Sequence, residues 1–244
     1  MSRDGSLFRV WHRFSGIMGT GGERQVTRCG RSVDYPARET TRKWRAAVLI
    51  SGAGRTLANL LQVIRQGRLD LEIVLVISSK PGVAGLDIAE AAGIPARVIR
   101  PRDFASVPEY STAHYAAIEQ YGADLVLMAG FLRQLDIPEA WTDRVLNIHP
   151  SLLPQAAAYA AGKGMYGIRV HQAVLAHGDT VSGATVHVVT AEYDSGPPLM
   201  TVEVPVLPGD DAAILADRVF AAECDLYPTA LRHYMQLHPE LLRE

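Results

Sequence analysis

The stretch Leu146-Asn147-Ile148-His149-Pro150-Ser151-Leu152-Leu153-Pro154 sets a carboxamide and an imidazole two positions apart behind an apolar, strand-like run. In an extended chain residues i and i+2 share a face. Asn147 and His149 therefore stand side by side at the end of a strand that a proline closes, aimed at one spot. Such a pair suits acyl transfer. A side-chain amide can donate to an oxyanion, and an imidazole can carry a proton near neutral pH. The same tripeptide can equally do no more than close a strand in a turn, so the surrounding elements have to decide between the two.

Those elements alternate. Ala46–Ile50 reads as a buried strand, followed by Ser51-Gly52-Ala53-Gly54-Arg55-Thr56 and a helical pattern on Leu57, Leu60, Leu61 and Ile64. Strand, glycine turn and helix open a mononucleotide-binding unit, in which backbone N–H groups and the helix N-terminus favour an anion. Thr56 is a candidate cap of that helix. The run is neither GxGxxG nor a P-loop, and by itself a plain tight turn accounts for it as well as a phosphate cradle does. Glu72–Ile77, Ala96–Ile99 and Asp124–Ala129 read as further strands, with helices over Leu86–Ala92 and Pro108–Tyr121. This spacing predicts an α/β fold with a mostly parallel sheet, whose ligands bind beyond the carboxyl ends of the strands. Gly52–Thr56, Ala129–Arg133 and Asn147–His149 all fall at such ends.

Gly130-Phe131-Leu132-Arg133-Gln134-Leu135 is an apolar loop along which a flat aromatic ligand could lie, with Arg133 placed to pair with a carboxylate or simply solvated. Gln155–Gly167 carries the glycine spacing of a mobile loop or lid. His171 sits on a helix over Ile168–Gly178, where a packed or capping histidine is the ordinary case. Gly183–Val189 and Leu199–Val206 read as an antiparallel strand pair. Asp194, in the loop between them, either makes an Asx-turn or orients His149 as a buried carboxylate. Asp211–Met235 reads as a long helix, with Glu223 at the edge of its apolar stripe as a solvated charge.

The chain of 244 residues is long enough for one large α/β domain. A net charge of −2 argues against a nucleic-acid binder, and no apolar run approaches the ~20 residues that span a bilayer. Residues 1–45 hold ten Lys/Arg and four Asp/Glu, the remainder fourteen and twenty-two. Residues 1–44 read as a basic, disordered extension, a transit segment or a mis-assigned start, and no chemistry is assigned to them. Cys29 and Cys224 form neither a disulfide framework nor a metal motif, and a cytoplasmic location is expected.

Together these stretches resemble the phosphoribosylglycinamide formyltransferase family, folate-dependent enzymes of purine synthesis. The resemblance runs from about Arg45 to Met235. It is carried by Asn147–Pro154, then Thr185-Val186-His187-Val188-Val189 and Asp194-Ser195-Gly196-Pro197, together with Ser51–Gly54 and Ala129–Arg133. The resemblance implies a Rossmann-like formyltransferase fold over residues 45–244, with antiparallel C-terminal strands and helices on both faces. It implies Asn147, His149 and Asp194 as the catalytic trio, and Gly52, Ala53, Gly54, Arg55 and Thr56 as the substrate phosphate site. Phe131, Leu132, Arg133, Gln134, Leu135, Thr190 and Tyr193 would meet the folate, and Glu223 the glycinamide ribonucleotide. The implied co-substrate is 10-formyltetrahydrofolate. No metal, nucleic acid or membrane is implied, and the state would be a monomer or homodimer. The chain departs from the family in the long Gln155–Gly167 loop, in Phe220 where a polar residue is expected, in Thr56 where asparagine is common, and in lacking an arginine near residue 106.

In that chemistry an amine attacks the formyl carbon carried on N10. Asn147 and protonated His149 supply donors to the oxyanion, and Asp194 orients the ring. The core is shared by sugar-amine and methionyl-tRNA formyltransferases and by the hydrolase that releases formate. A non-catalytic anion- or nucleotide-binding protein is the alternative from another class.

Overall fold

The computed structural model describes residues 42–243. The expectations for Cys29 and for most of the 1–44 extension lie outside them. Strand β1 (Trp44–Ile50) leads to α1 (Arg55–Arg65), β2 (Leu71–Ser78), α2 (Ala84–Ala91), β3 (Ala96–Val98), α3 (Val107–Gln120) and β4 (Leu125–Met128). Then come β5 (Val145–His149), the single turn α4 (Ala157–Ala160), α5 (Ile168–His177), β6 (Val181–Val188), β7 (Pro198–Pro205) and α6 (Ala212–Leu237). The seven strands form one sheet in the order β3-β2-β1-β4-β5-β6-β7. It is parallel from β3 to β5 and antiparallel at β5–β6 and β6–β7.

Strand alternation divides the core into two layers. Ala46, Val48 and Ile50 of β1 face Leu57, Leu60, Val170, Leu215 and Val219, on α1, α5 and α6. Ala47 and Leu49 point the other way, into a layer with Tyr110, Tyr115 and Ile118 of α3 and with Trp141. Period-2 burial in a sheet covered on both sides by helices produces this split directly.

The chain runs outward from β1 to β3 and then returns to β4 on the other side of β1. At such a reversal the loops leave in opposite directions and open a crevice. The Ser51 hydroxyl bridges it, accepting from the Leu132 amide at 3.0 Å and sharing a 2.7 Å hydrogen bond with Ser79. Thr56 does not cap α1. The N-cap is Gly54, at φ 72°, with no side-chain cap. A Cβ on Gly54 would lie 2.7 Å from the Gly85 Cα, so the approach of the two turns as well as the backbone angle calls for glycine.

Helix α6 contains Pro228, buried and well inside its 26 residues. Proline has no N–H, so the Cys224 carbonyl loses its i+4 helical donor. Asn59 of α1 donates its side-chain amide to that carbonyl at 2.8 Å. Asn59→Ala should therefore lower stability by about 1–2 kcal/mol, because it strands a part-buried acceptor. In a Pro228→Ala background, where the helical N–H returns, the same substitution should cost less. Urea midpoints of the four proteins measure the difference.

Candidate active site

Strand β5 pairs with β6 in the register Asn147↔His187 and His149↔Thr185. Asn147 and His149 therefore face one way, as the i, i+2 spacing requires, and each meets a polar partner across the ladder. The His187 Nδ1 lies 3.0 Å from the Val188 carbonyl, which can only accept, so Nδ1 carries the proton. Nε2 is then an acceptor, and the Asn147 amide donates to it at 3.1 Å. Burial lowers the His187 pKa and keeps the ring in this neutral form. One N–H of Asn147 is thereby used to fix its orientation, and the other remains available to a ligand. At the other residue pair of the same ladder, Thr185 donates to the Ser151 carbonyl at 2.8 Å and accepts from the Leu153 amide at 2.9 Å, which holds the chain just past His149.

His149 is buried. Its Nε2 donates to the Ala160 carbonyl at 2.7 Å, and its Nδ1 lies 3.5 Å from Asp194 Oδ1. Asp194 sits in a left-handed turn at φ 50°. It spends its second oxygen on the Gly162 amide, at 2.9 Å, instead of on an Asx-turn. Gly196 lets this turn lie against β6, since a Cβ there would meet the Val188 carbonyl oxygen at 1.7 Å. Asp194 Oδ1 is also 3.8 Å from His187 Nε2, so the carboxylate faces both histidines.

These groups form part of the wall of a cleft of about 1020 Å³. Arg55 and Thr56 line one end, with Phe220 and Glu223 of α6 beside them. Gly130–Gln134, Tyr110 and Tyr193 line another part. The cleft is thus continuous from the first turn of α1, past Asn147 and His149, to the 130–134 loop. His171 also reaches it, buried, with Nδ1 lacking a hydrogen-bond partner among the described residues. Burial first, and then the nearby His149, lower its pKa to about 4, so it is neutral at physiological pH.

Several expectations change. Glu223 is not a solvated charge. It is half-buried against the cleft, and burial pushes its carboxyl up to about 7, an effect that Arg55 partly offsets. Leu135 does not line the cleft, because its side chain is packed into the core beneath the loop. Thr190 also lies outside the lining, its hydroxyl engaged with Ser195 at 3.1 Å. Gly52, Ala53 and Gly54 shape the turn, while Arg55 and Thr56 are the members of that set that reach the cleft. The Arg55 guanidinium stacks 3.7 Å over the Phe220 ring and pairs with Asp217 at 3.1 Å. The long loop after Pro154 contains the helical turn α4, touches His149 and Asp194 through its backbone, and lines the cleft with residues 162–167. Sequence reasoning missed His187 as the partner of Asn147. The alternation Thr185-x-His187 held the signal, but only the antiparallel register with β5 makes it legible.

A family model described as formyl transferase matches residues 44–231. The chain is 41% identical over 193 residues to the human trifunctional purine biosynthetic protein adenosine-3, covering 78% of this chain and 18% of that protein. The chain thus spans less than a fifth of the length of that relative. It is 37% identical over 202 residues to the chloroplastic phosphoribosylglycinamide formyltransferase of Arabidopsis thaliana, covering 80% of this chain and 66% of the plant protein. The solved phosphoribosylglycinamide formyltransferase of Brucella melitensis superposes with a TM-score of 0.70 at 39% identity, over 79% of this chain and 96% of its own. With a family model spanning most of the chain and relatives of this similarity, the chain belongs to the formyl transferase family.

Proposed function

We propose that the protein transfers the formyl group of 10-formyltetrahydrofolate to the amine of glycinamide ribonucleotide. The observation that carries this reading is the meeting of Asn147, His149 and Asp194 on the wall of one cleft. That cleft extends from the first turn of α1 to the 130–134 loop. The names of the similar proteins support the choice of donor and acceptor.

The residues divide the work. An α-amino-like group has a pKa near 7.7–8.0, so roughly a tenth is neutral at pH 7 and releasing the free amine costs about 1.4 kcal/mol. No strong base is needed for attack. As the amine adds to the formyl carbon, negative charge grows on the formyl oxygen. The free N–H of Asn147 meets that charge, already aimed because His187 holds the other N–H. His149 keeps its Nε2 proton on the Ala160 carbonyl, so Nδ1 is the atom that gains and loses a proton beside Asp194. Protonated Nδ1 donates to the oxyanion and then gives its proton to N10, the leaving atom, while Asp194 takes the ammonium proton through water and passes it on to Nδ1. Asp194 orients the ring. The scheme calls for no metal. The uncapped first turn of α1 and the Arg55 side chain take the substrate phosphate. Leu132, Arg133 and Tyr193 bound the folate end, and Glu223 holds the acceptor.

Wild-type protein should formylate glycinamide ribonucleotide, while Asn147→Ala and His149→Ala should each lower kcat by at least about a hundredfold. Folate affinity, measured by fluorescence titration, should stay unchanged. A wild type that binds the folate and leaves this amine untouched would overturn the acceptor assignment.

Glu223 gives a separate, pH-dependent test. The folded carboxyl keeps its proton up to about pH 7, against an ordinary value of 4.5. Its contribution to stability is therefore complete below about pH 4.5 and is lost as pH rises through 7. Glu223→Gln cannot ionise. It should match the wild type near pH 4.5 and exceed it at pH 8 by on the order of 1 kcal/mol, read from urea midpoints at the two pH values.

A further inference from the structure

The loop after Pro154 touches the His149–Asp194 pair with two backbone groups. The Ala160 carbonyl accepts from His149 Nε2 at 2.7 Å, and the Gly162 amide donates to Asp194 Oδ2 at 2.9 Å. One short segment thus grips both partners, and their spacing depends on where it is seated. Toward β5 it is anchored by the Ala156 amide on the Leu152 carbonyl and the Ala160 amide on the Ala156 carbonyl, each at 2.8 Å. Ala160 is fully buried. Alanine side chains cannot give the turn a unique position by hydrogen bonding, and Tyr159 is the one polar side chain among residues 156–161.

Tyr159 points away from the reacting groups, toward the end of α5. Its hydroxyl donates to Asp179 Oδ2. The other oxygen of Asp179 receives His177 Nδ1 at 2.9 Å. The Tyr159 and His177 rings stack with centroids 4.0 Å apart and planes 9° from parallel. Gly178, left-handed at φ 83°, ends α5 and turns the chain between His177 and Asp179, so that ring and carboxylate meet the same phenol. Two contacts of different kind, a stack and a hydrogen bond, fix both the plane and the tip of Tyr159.

We propose that Tyr159 is a positioning residue for the reaction, clamped by His177 and Asp179 so that the adjoining backbone holds His149 in its Nε2–H tautomer at a set distance from Asp194. The clamp touches neither substrate. It acts because the proton on Nε2 leaves Nδ1 as the exchangeable position, and a shift of the Ala160 carbonyl would release that choice. The consequence for turnover rests on the formyl-transfer reading. The consequence for the imidazole does not.

The test uses Tyr159→Phe, which keeps the stack and removes the hydroxyl, and Asp179→Ala, which removes the acceptor, as an independent cut of the same bond. In ¹⁵N spectra of the histidine-labelled full chain, with the His149 signals assigned by their loss in His149→Ala, the neutral wild-type ring should show Nε2 protonated. Both variants should show a mixture of tautomers. In the formyl-transfer assay kcat should fall about tenfold in both, with KM for amine and folate unchanged, as expected when a reacting group is misplaced without loss of binding. A wild-type tautomer retained in both folded variants would overturn the proposal, whatever their activity. A tautomer change in a protein whose wild type does not transfer formyl would uphold the clamp and refute the proposed reaction instead.

Discussion

Strand β5 is hydrogen-bonded in parallel to β4 on one side and antiparallel to β6 on the other, and the site depends on that reversal. A parallel ladder alone would bring Asn147 and His149 to the crevice but leave Asn147 without the partner that orients its amide. The antiparallel partner sets His187 opposite Asn147 and Thr185 opposite His149. Register then supplies orientation. Slipping the pair by one residue would turn Thr185 and His187 to the other face and put valines in their place. The chemistry of the tripeptide is therefore held by the neighbouring strand as much as by its own sequence.

Burial makes this arrangement strict. His149, His187 and Thr185 are all nearly inaccessible to water, so each polar atom must find a protein partner. Most of those partners are backbone groups: the carbonyls of Val188, Ala160 and Ser151, and the amide of Leu153. A carbonyl can only accept, so each such bond also assigns a proton. The site is preorganised in protonation as well as in position, which is what electrostatic stabilisation of a developing charge requires.

Much of this was legible beforehand. The Val48–Ile50 run, the glycine turn and the spacing of helices give the parallel sheet and the crevice because side-chain period and backbone angle are local properties. Asn147-x-His149 reads as a pair for the same reason. Less legible were features that depend on residues distant in sequence. Glu223 looks like a surface charge on a helical wheel until the fold sets it in the wall of the cleft, where burial raises its pKa and Arg55 partly offsets the effect. The helix read over Asp211–Met235 does run through Pro228, but the sequence does not show that Asn59 of α1 serves the carbonyl that the proline abandons. Thr56 fits a cap by type, but the left-handed Gly54 starts the helix earlier.

The alanine-rich segment after Pro154 has the composition of a tolerant linker. Its two contacts with the site are made by the main chain of residues 160 and 162, which every sequence possesses. Side-chain identity at Ala157, Ala158 and Ala161 is therefore weakly constrained, whereas Ala156 and Ala160 are buried and the number of residues between Pro154 and Gly162 is strongly constrained. One residue more or fewer would bring a different carbonyl to His149 and a different amide to Asp194. In this loop drift in sequence is permitted and drift in length is not, the reverse of what surface loops ordinarily allow.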